Sequence, residues 1–135
     1  MFVLLVVFSR LGWLHSAGFA WLGQGRTWLI LLLPAIFLFA LMNAFGEELA
    51  YRAAPLSQLW QVVGKRQAIW MIALWFGLGH YVGGISFGAV GVVYLTLIAV
   101  LFGKAMVEIK GLAVPVFMHL WGDVVLYIIL ALGSA

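Results

Sequence analysis

Six ionisable side chains lie within or beside long apolar stretches of this sequence, where charged groups are unexpected. They are Glu47, Glu48, Arg52, His80, His119 and Asp123. A charged residue at the centre of a membrane helix costs about 2.5–3.5 kcal/mol on insertion scales. Carboxylates and imidazoles can transfer protons, hold water or bind a metal ion. Their presence at this cost therefore calls for a functional explanation.

The first group lies in residues 45–52, Phe-Gly-Glu-Glu-Leu-Ala-Tyr-Arg. On a continuing helix, Glu48 and Arg52 are one turn apart and can form an ion pair. Glu47 points about 100° away from Glu48, so that pair does not neutralise it. The simpler alternative is that both glutamates mark a helix end among lipid headgroups. The apolar residues on both sides of Arg52 argue against this alternative.

The second group is centred on His80. Phe76 precedes His80 by one helical turn and shares its face, and Gly77 and Gly79 would let a neighbouring helix approach closely. Taken alone, His80 is equally well explained as a structural histidine that is hydrogen-bonded to a backbone carbonyl.

The third group is the pair His119 and Asp123, again one turn apart. Such a carboxylate can fix the tautomer of the imidazole, although a polar clamp between helices is the alternative. If the first helix runs on to about Trp60, the helical rise places Glu47 roughly 20 Å from its cytoplasmic end. His80 lies roughly 20 Å from the Lys65 and Arg66 end of its helix, and His119 lies roughly 10–15 Å from Lys110. Three helices thus place these groups at similar depths, which favours one shared polar cavity.

The composition indicates what kind of elements position these residues. Of 135 residues, 67% are hydrophobic and 8% are charged, whereas soluble domains carry about 25% charged residues. The net charge of +3 is too small and too scattered for nucleic-acid binding. Cysteine is absent, so disulfides and thiolate metal sites are excluded, and a metal ion would need His and carboxylate ligands.

These properties predict an all-α fold, a polytopic bundle of transmembrane helices. A spanning helix needs roughly 20 apolar residues. We expect four clear spans, at residues 27–45, 68–82, 88–107 and 112–132. Residues 2–22 are a candidate fifth span, weakened by Arg10 and His15. The chain then divides into an N-terminal membrane or interfacial segment, 1–26, and a helical domain, 27–135.

The basic residues predict the topology. Lys65 and Arg66 follow the first clear span, and Lys104 and Lys110 follow the third, so both sets lie on one side if all four segments cross the membrane. By the positive-inside rule, the loops 59–67 and 104–111 are cytoplasmic. The intervening loop, 83–87, carries no charge.

The three motifs, in this order, resemble the CPBP family of intramembrane metalloproteases, the CAAX prenyl endopeptidase and bacteriocin-processing proteins, also called the Abi family. The family pattern is Glu-Glu-x-x-x-Arg, then Phe-x-x-x-His, then His-x-x-x-Asn or Asp. These motifs begin here at Glu47, Phe76 and His119. Each motif is short and weakly specific, but all three in order, on apolar helices, form a strong signal over residues 42–133.

The resemblance implies intramembrane hydrolysis of peptide bonds in membrane-embedded or membrane-anchored substrates. Glu47 would act as general base, His80 would position or activate the water, and His119 with Asp123 would stabilise the oxyanion. The residues in structural support would be Glu48, Arg52 and Phe76. The last motif departs from many family members, because Asp123 stands where they have Asn. Members also have more helices before the first motif, so an oligomer or partner helices could close the cavity.

Zinc is a candidate cofactor. Glu47, His80 and His119 would form a His₂Glu set with one open position. The same residues suit a metal-free glutamate mechanism, which we favour slightly on chemical grounds. The His-Glu-x-x-His pattern of soluble zinc proteases is absent.

Other functions stay open at this point. A membrane scaffold or bacteriocin-immunity protein could keep the polar cluster for packing, and a transporter could use it as an ion path. No internal repeat supports the transporter. Residues 84–88 match Gly-x-Ser-x-Gly, but a nucleophile elbow needs a strand before it. The composition looks bacterial, which places the chain in a bacterial plasma membrane.

Overall fold

The computed structural model describes residues 27–83 and 88–133, and within these ranges the chain is helical with no strand. The elements are α1 (Thr27–Glu48), a π-helical segment (Leu49–Leu56), α2 (Ser57–Val63), α3 (Lys65–Gly83), α4 (Gly88–Ile109) and α5 (Ala113–Gly133). The predicted all-α fold class is confirmed. The candidate N-terminal span at 2–22 and most of the Gly-x-Ser-x-Gly stretch lie outside the described residues.

The number of predicted spans needs a correction. Among the described residues, three helical stretches are long and apolar enough to cross a membrane, namely Leu32–Val63, Gly88–Ile109 and Ala113–Leu132. The predicted span 68–82 does form a helix, α3, but its 19 residues begin with Lys65, Arg66 and Gln67. These polar residues leave α3 short of the apolar length that the other three stretches have.

The first span is longer than predicted because the helix does not end near Phe45. It continues through a π-helical segment, Leu49–Leu56, which contains Arg52 and Pro55. Proline has no backbone N–H, and in an α-helix its ring clashes with the carbonyl four residues earlier. A wider π-helical turn accommodates this disruption without ending the helix. Such segments frequently lie at functional sites, and this one directly follows Glu47 and Glu48.

The two basic connections are shorter than the predicted loops 59–67 and 104–111. Gly64, with φ of 87°, separates α2 from α3. After α4, Lys110 has φ of 57°, and Gly111 N–H donates to Met106 O at 3.3 Å. This bond closes a Schellman-type helix end, in which glycine usually holds the left-handed position. Most residues of the two predicted loops are therefore helical.

The chain forms two compact units. Among the described residues, one unit contains 27–43 together with 120–133. Within this unit, the Phe37 ring meets Trp121 edge-on at 6.5 Å between centroids. The Phe39 and Tyr127 rings lie 5.3 Å apart. Aromatic contacts therefore join the N-terminal part of α1 to the C-terminal part of α5.

The other unit spans Ala44–His119. Its core comprises two clusters of buried residues, one of Leu56, Ala68, Ile69, Ile72 and Met106, the other of Ala73, Phe76 and Ala99. A glycine allows α3 and α4 to approach closely. A Cβ atom on Gly77 would overlap Thr96 Oγ1 and lie 2.7 Å from Val92 O. The expectation that Gly77 makes room for a neighbouring helix thus has a specific partner, α4.

Large apolar side chains cover much of the described surface. Met42 is 67% exposed, Val62 is 82% exposed and Val90 is 78% exposed. In water such a surface would drive aggregation, whereas lipid solvates it. Together with the three spanning stretches, this surface shows an integral membrane protein.

Replacement of Gly77 by Ala should lower the stability of the fold. The new methyl group would force α3 and α4 apart, and overpacking of this kind costs about 1–3 kcal/mol. Thermal unfolding of the purified protein in detergent measures the change. Gly122→Ala is the matched control, because its Cβ would meet no atom within 4 Å. Unchanged unfolding of Gly77→Ala would contradict the close packing described for α3 and α4.

Candidate active site

The Ala44–His119 unit contains a fully buried ion pair. Arg52 Nη1 donates to Glu48 Oε1 at 2.9 Å, and both side chains are 0% exposed. Glu48 ends α1 and Arg52 lies in the π-helical segment, so one continuous helix supplies both partners. Removal of charges from water is expensive, and such a pair persists only where each charge has its partner.

Aromatic rings surround the Arg52 guanidinium. Its central carbon lies 4.6 Å from the Phe76 ring centroid, 5.5 Å from that of Phe102 and 5.8 Å from that of Tyr51. Within the described part of the chain, Arg52 Nε and Nη2 have no hydrogen-bond partner. Ring faces attract a cation, and the attraction strengthens when water is excluded. The rings therefore replace part of the lost hydration and hold Arg52 in place.

The same carboxylate oxygen also orients a histidine. His119 Nδ1 lies 2.8 Å from Glu48 Oε1 in a buried contact. Because a carboxylate that faces a guanidinium is an acceptor, His119 donates through its Nδ1–H. In the neutral imidazole the lone pair is then on Nε2. Phe102 stacks against the ring of His119 at a centroid distance of 5.3 Å and keeps it in this orientation.

His80 has the same tautomer for a different reason. Its Nδ1 lies 2.9 Å from the carbonyl oxygen of Phe76, one turn earlier in α3. A carbonyl oxygen can only accept, so Nδ1–H donates and the neutral ring carries its lone pair on Nε2. The Phe76 ring lies 4.4 Å from the His80 ring, so Phe76 supports His80 through both its backbone and its side chain.

Both Nε2 atoms face Glu47. His80 Nε2 lies 3.7 Å from Glu47 Oε2, and His119 Nε2 lies 3.6 Å from the same oxygen. The side chain of Glu47 is 25% exposed and that of His80 is 23% exposed, whereas His119 is 8% exposed. Three proton-accepting atoms therefore converge. The Glu47 Oε2 atom is itself buried, but the Glu47 and His80 side chains remain partly exposed, which suits the binding of a water molecule and the removal of its proton.

The fit to a metal ion is a separate question. Among the residues that the structure describes, no group of three His, Asp or Glu side chains is arranged to hold a metal ion. Glu47, His80 and His119 nevertheless have the ligand types that zinc requires, and a zinc site built from them stays a proposal. We therefore derive no step through a metal.

Asp123 lies in the other unit. There Asn43 Nδ2 donates to Asp123 Oδ2 at 3.0 Å. The structure thus brings together Glu47, His80 and His119 with their supporting residues Glu48, Arg52 and Phe76, all within Ala44–His119. It assigns Asp123 to a hydrogen bond with Asn43.

The sequence interpretation missed two residues that contact these polar groups, Asn43 and Phe102. Asn43 precedes Glu47 by one helical turn on an apolar span, and because a polar side chain is costly in a membrane, its position alone could have marked it as a candidate. Phe102 contacts both Arg52 and His119, but a phenylalanine in an apolar helix carries no chemical signal. Only the packing of α4 shows its role.

Comparison with known proteins gives one match. A family model described as "Type II CAAX prenyl endopeptidase Rce1-like" matches residues 27–125. No curated protein matches the chain, and no solved structure does.

Replacement of Arg52 by Ala should destabilise the protein strongly. It leaves the Glu48 carboxylate buried without its cation, and a broken buried pair costs about 3–5 kcal/mol. The double variant Glu48→Met, Arg52→Leu should regain much of this loss, because it leaves no unpaired charge. Thermal unfolding in detergent compares both variants with Arg66→Ala, whose side chain is exposed. If Arg52→Ala unfolded no earlier than Arg66→Ala, the pair would not be a structural element.

Proposed function

Because the chain belongs to the type II CAAX prenyl endopeptidase Rce1-like family, we propose that it hydrolyses peptide bonds of membrane-embedded or membrane-anchored substrates. The family match also confirms the resemblance to CPBP proteins that the three motifs predicted. The observation that carries the proposal is the convergence of His80 Nε2 and His119 Nε2 on Glu47 Oε2. These groups come from three different helices, and the packing of the two rings does not explain why both turn their Nε2 atoms toward one carboxylate oxygen.

Glu47 is the proposed general base. A water molecule that is bound between Glu47 Oε2 and the two imidazoles transfers a proton to the carboxylate, and its oxygen attacks the carbonyl carbon of the scissile peptide bond. Collapse of the tetrahedral intermediate breaks the C–N bond, and the proton held by Glu47 passes to the leaving amine. One residue thus acts as base and then as acid, which balances the protons over the reaction.

The proposed role of His119 depends on its protonation. With Nδ1–H bonded to Glu48, neutral His119 can only accept at Nε2. In this form His119 would hold the attacking water through its Nε2 lone pair. To stabilise the oxyanion, as the sequence motif implies, Nε2 would have to take up a proton from solvent before the water attacks, in addition to the proton that passes through Glu47. The Glu48 carboxylate, 2.8 Å from Nδ1, fixes the tautomer and orientation of the ring, as the Asp does in the serine-protease triad. Glu48 is therefore a positioning residue in the proposal, and Arg52 holds it. A contribution of Asp123 to oxyanion stabilisation rests on the sequence motif.

Zinc held by Glu47, His80 and His119 is the second form of the proposal. A bound zinc ion would supply Lewis-acid activation of the water. The same three side chains would then be ligands, and Glu47 would no longer be the base. Metal analysis of the active protein distinguishes the two forms, because the metal-free form keeps full activity after chelation.

We also propose the orientation of the chain in a bacterial plasma membrane. Although α3 is short of a full apolar span, it runs antiparallel beside α4, with its first turns next to the last turns of α4 and Gly77 next to Thr96. The basic start of α3 therefore lies on the same side as Lys104 and Lys110, and both connections would face the cytoplasm. Cysteine accessibility labelling in whole cells of the variant Gln67→Cys, an exposed position in a chain that has no other cysteine, reports this orientation directly.

Replacement of Glu47 by Gln should abolish peptide cleavage. Loss of a general base lowers the rate by about 10²–10⁴-fold, while the near-identical shape preserves the fold. The purified protein in detergent is incubated with a library of membrane-anchored peptides, and mass spectrometry identifies new termini. Glu108→Gln, at an exposed position, is the control. If the wild-type chain is folded but cleaves nothing, or if Glu47→Gln cleaves normally, the scaffold or immunity alternative replaces the peptidase proposal.

Replacement of Glu48 by Gln should lower the stability of the fold, because it leaves Arg52 buried without its counter-charge, and should lower kcat of the folded protein with little change in KM. The amide keeps the shape but removes the charged acceptor that orients His119, and loss of such an orienting partner costs about 10–100-fold. Steady-state kinetics on a cleaved library peptide separates the two constants. If kcat were unchanged and KM rose by a similar factor, Glu48 would serve substrate binding instead.

A further inference from the structure

A surface cavity lies between the basic ends of α3 and α4, and Glu47 and the two histidines do not line it. Its volume is about 490 Å³. Four residues from the first turns of α3 line one wall, Lys65, Arg66, Ile69 and Trp70. Four residues from the last turns of α4 line the other wall, Val100, Lys104, Val107 and Glu108. The proposed peptidase chemistry uses none of them.

The charges of this cavity are unbalanced. Three cations, Lys65, Arg66 and Lys104, face one carboxylate, Glu108. All four side chains are exposed. Within the described ranges none of the four takes part in an ion pair. The cavity therefore offers a net positive charge that the described residues do not neutralise, and a phosphate group would supply the missing charge.

The depth of the cavity adds a second chemical requirement. Ile69 is buried, and Val100 and Val107 are partly buried, so the inner wall is apolar. The charged residues stand at the outer end, since Lys65 and Arg66 begin α3 and Glu108 nearly ends α4. Trp70 is 47% exposed, one turn inward from the cations, where interfacial tryptophans lie in membrane proteins.

A cationic outer end above an apolar wall fits an amphiphile. Free phosphate would use the cations and leave the apolar wall exposed, and an acidic peptide would also leave it unfilled. An anionic phospholipid matches both parts, with its phosphate at the cations and the start of an acyl chain along Ile69, Val100 and Val107. The surrounding bilayer supplies such molecules at high local concentration.

We propose that this cavity is a binding site for an anionic phospholipid. The lipid phosphate contacts Lys65, Arg66 and Lys104, and Glu108 discriminates against headgroups that carry further negative charge near α4. The bound lipid would fill the space between the basic ends of α3 and α4 and fix their separation at the membrane surface.

Native mass spectrometry of the full chain in detergent tests the proposal. Phosphatidylglycerol is the anionic probe and phosphatidylcholine is the zwitterionic one. We expect retention of one phosphatidylglycerol molecule in preference to phosphatidylcholine. The double variant Lys65→Gln, Arg66→Gln should weaken this binding by at least tenfold, since each cation near a membrane surface contributes about fivefold. Lys110→Gln is the matched control, because Lys110 lies two residues after Glu108 but does not line the cavity.

The apolar wall has its own pair of variants. Val100→Phe would fill the cavity and should displace the lipid, whereas Val93→Phe changes a 61% exposed position on the same helix and should not. Size-exclusion profiles and circular dichroism verify that each variant is folded. The charge variants stand as an independent test if Val100→Phe does not fold.

Three outcomes would overturn the proposal. Equal binding of the two lipids would remove the role of the cations. If the double variant and Lys110→Gln lost the same share of phosphatidylglycerol binding, the lipid would be held by general electrostatic attraction to the protein. Displacement of the lipid by an excess of inorganic phosphate would show an anion site that makes no use of the acyl chain.

Discussion

The buried ion pair between Glu48 and Arg52 is the interaction on which the rest of the site depends. Both charges are removed from solvent, so each requires the other. Glu48 then orients His119, and the rings around Arg52 include Phe76, which supports His80. The ion pair thus orients His119 directly and packs against the residue that holds His80. Glu47 itself stays 25% exposed, as its proposed role as general base requires.

The two histidines reach the same tautomer through different partners. A carboxylate holds His119, and a backbone carbonyl holds His80. The carboxylate belongs to a second side chain from another helix, whereas the carbonyl belongs to the same helix as His80. The two rings are therefore not equivalent in the proposed mechanism: His119 is the proposed oxyanion group, His80 is the proposed water-positioning group, and the proton itself passes through Glu47.

The sequence predicted the helical membrane fold because apolar length and scarce charge leave no other solution. It also indicated the ionisable residues, because each stands out against an apolar background. It did not predict the contacts of Phe102 or the fit of Gly77 against Thr96, since these depend on how α3 and α4 pack. Among the described residues, the number of spans was overestimated because 68–82, a shorter apolar run than the other three, was accepted as a full span. The π-helical segment Leu49–Leu56 could not be predicted from Pro55 alone, because a proline can also end a helix. Only the structure shows that the helix continues through it.

Nitrogen-15 NMR of the histidine side chains at neutral pH tests the central claim most directly. Variants His80→Gln and His119→Gln assign the signals. The account predicts that both rings are protonated at Nδ1 and unprotonated at Nε2, and that the His119 signal changes when Glu48 is replaced by Gln. An Nε2–H tautomer at either histidine would contradict the arrangement in which both rings face Glu47 with their lone pairs.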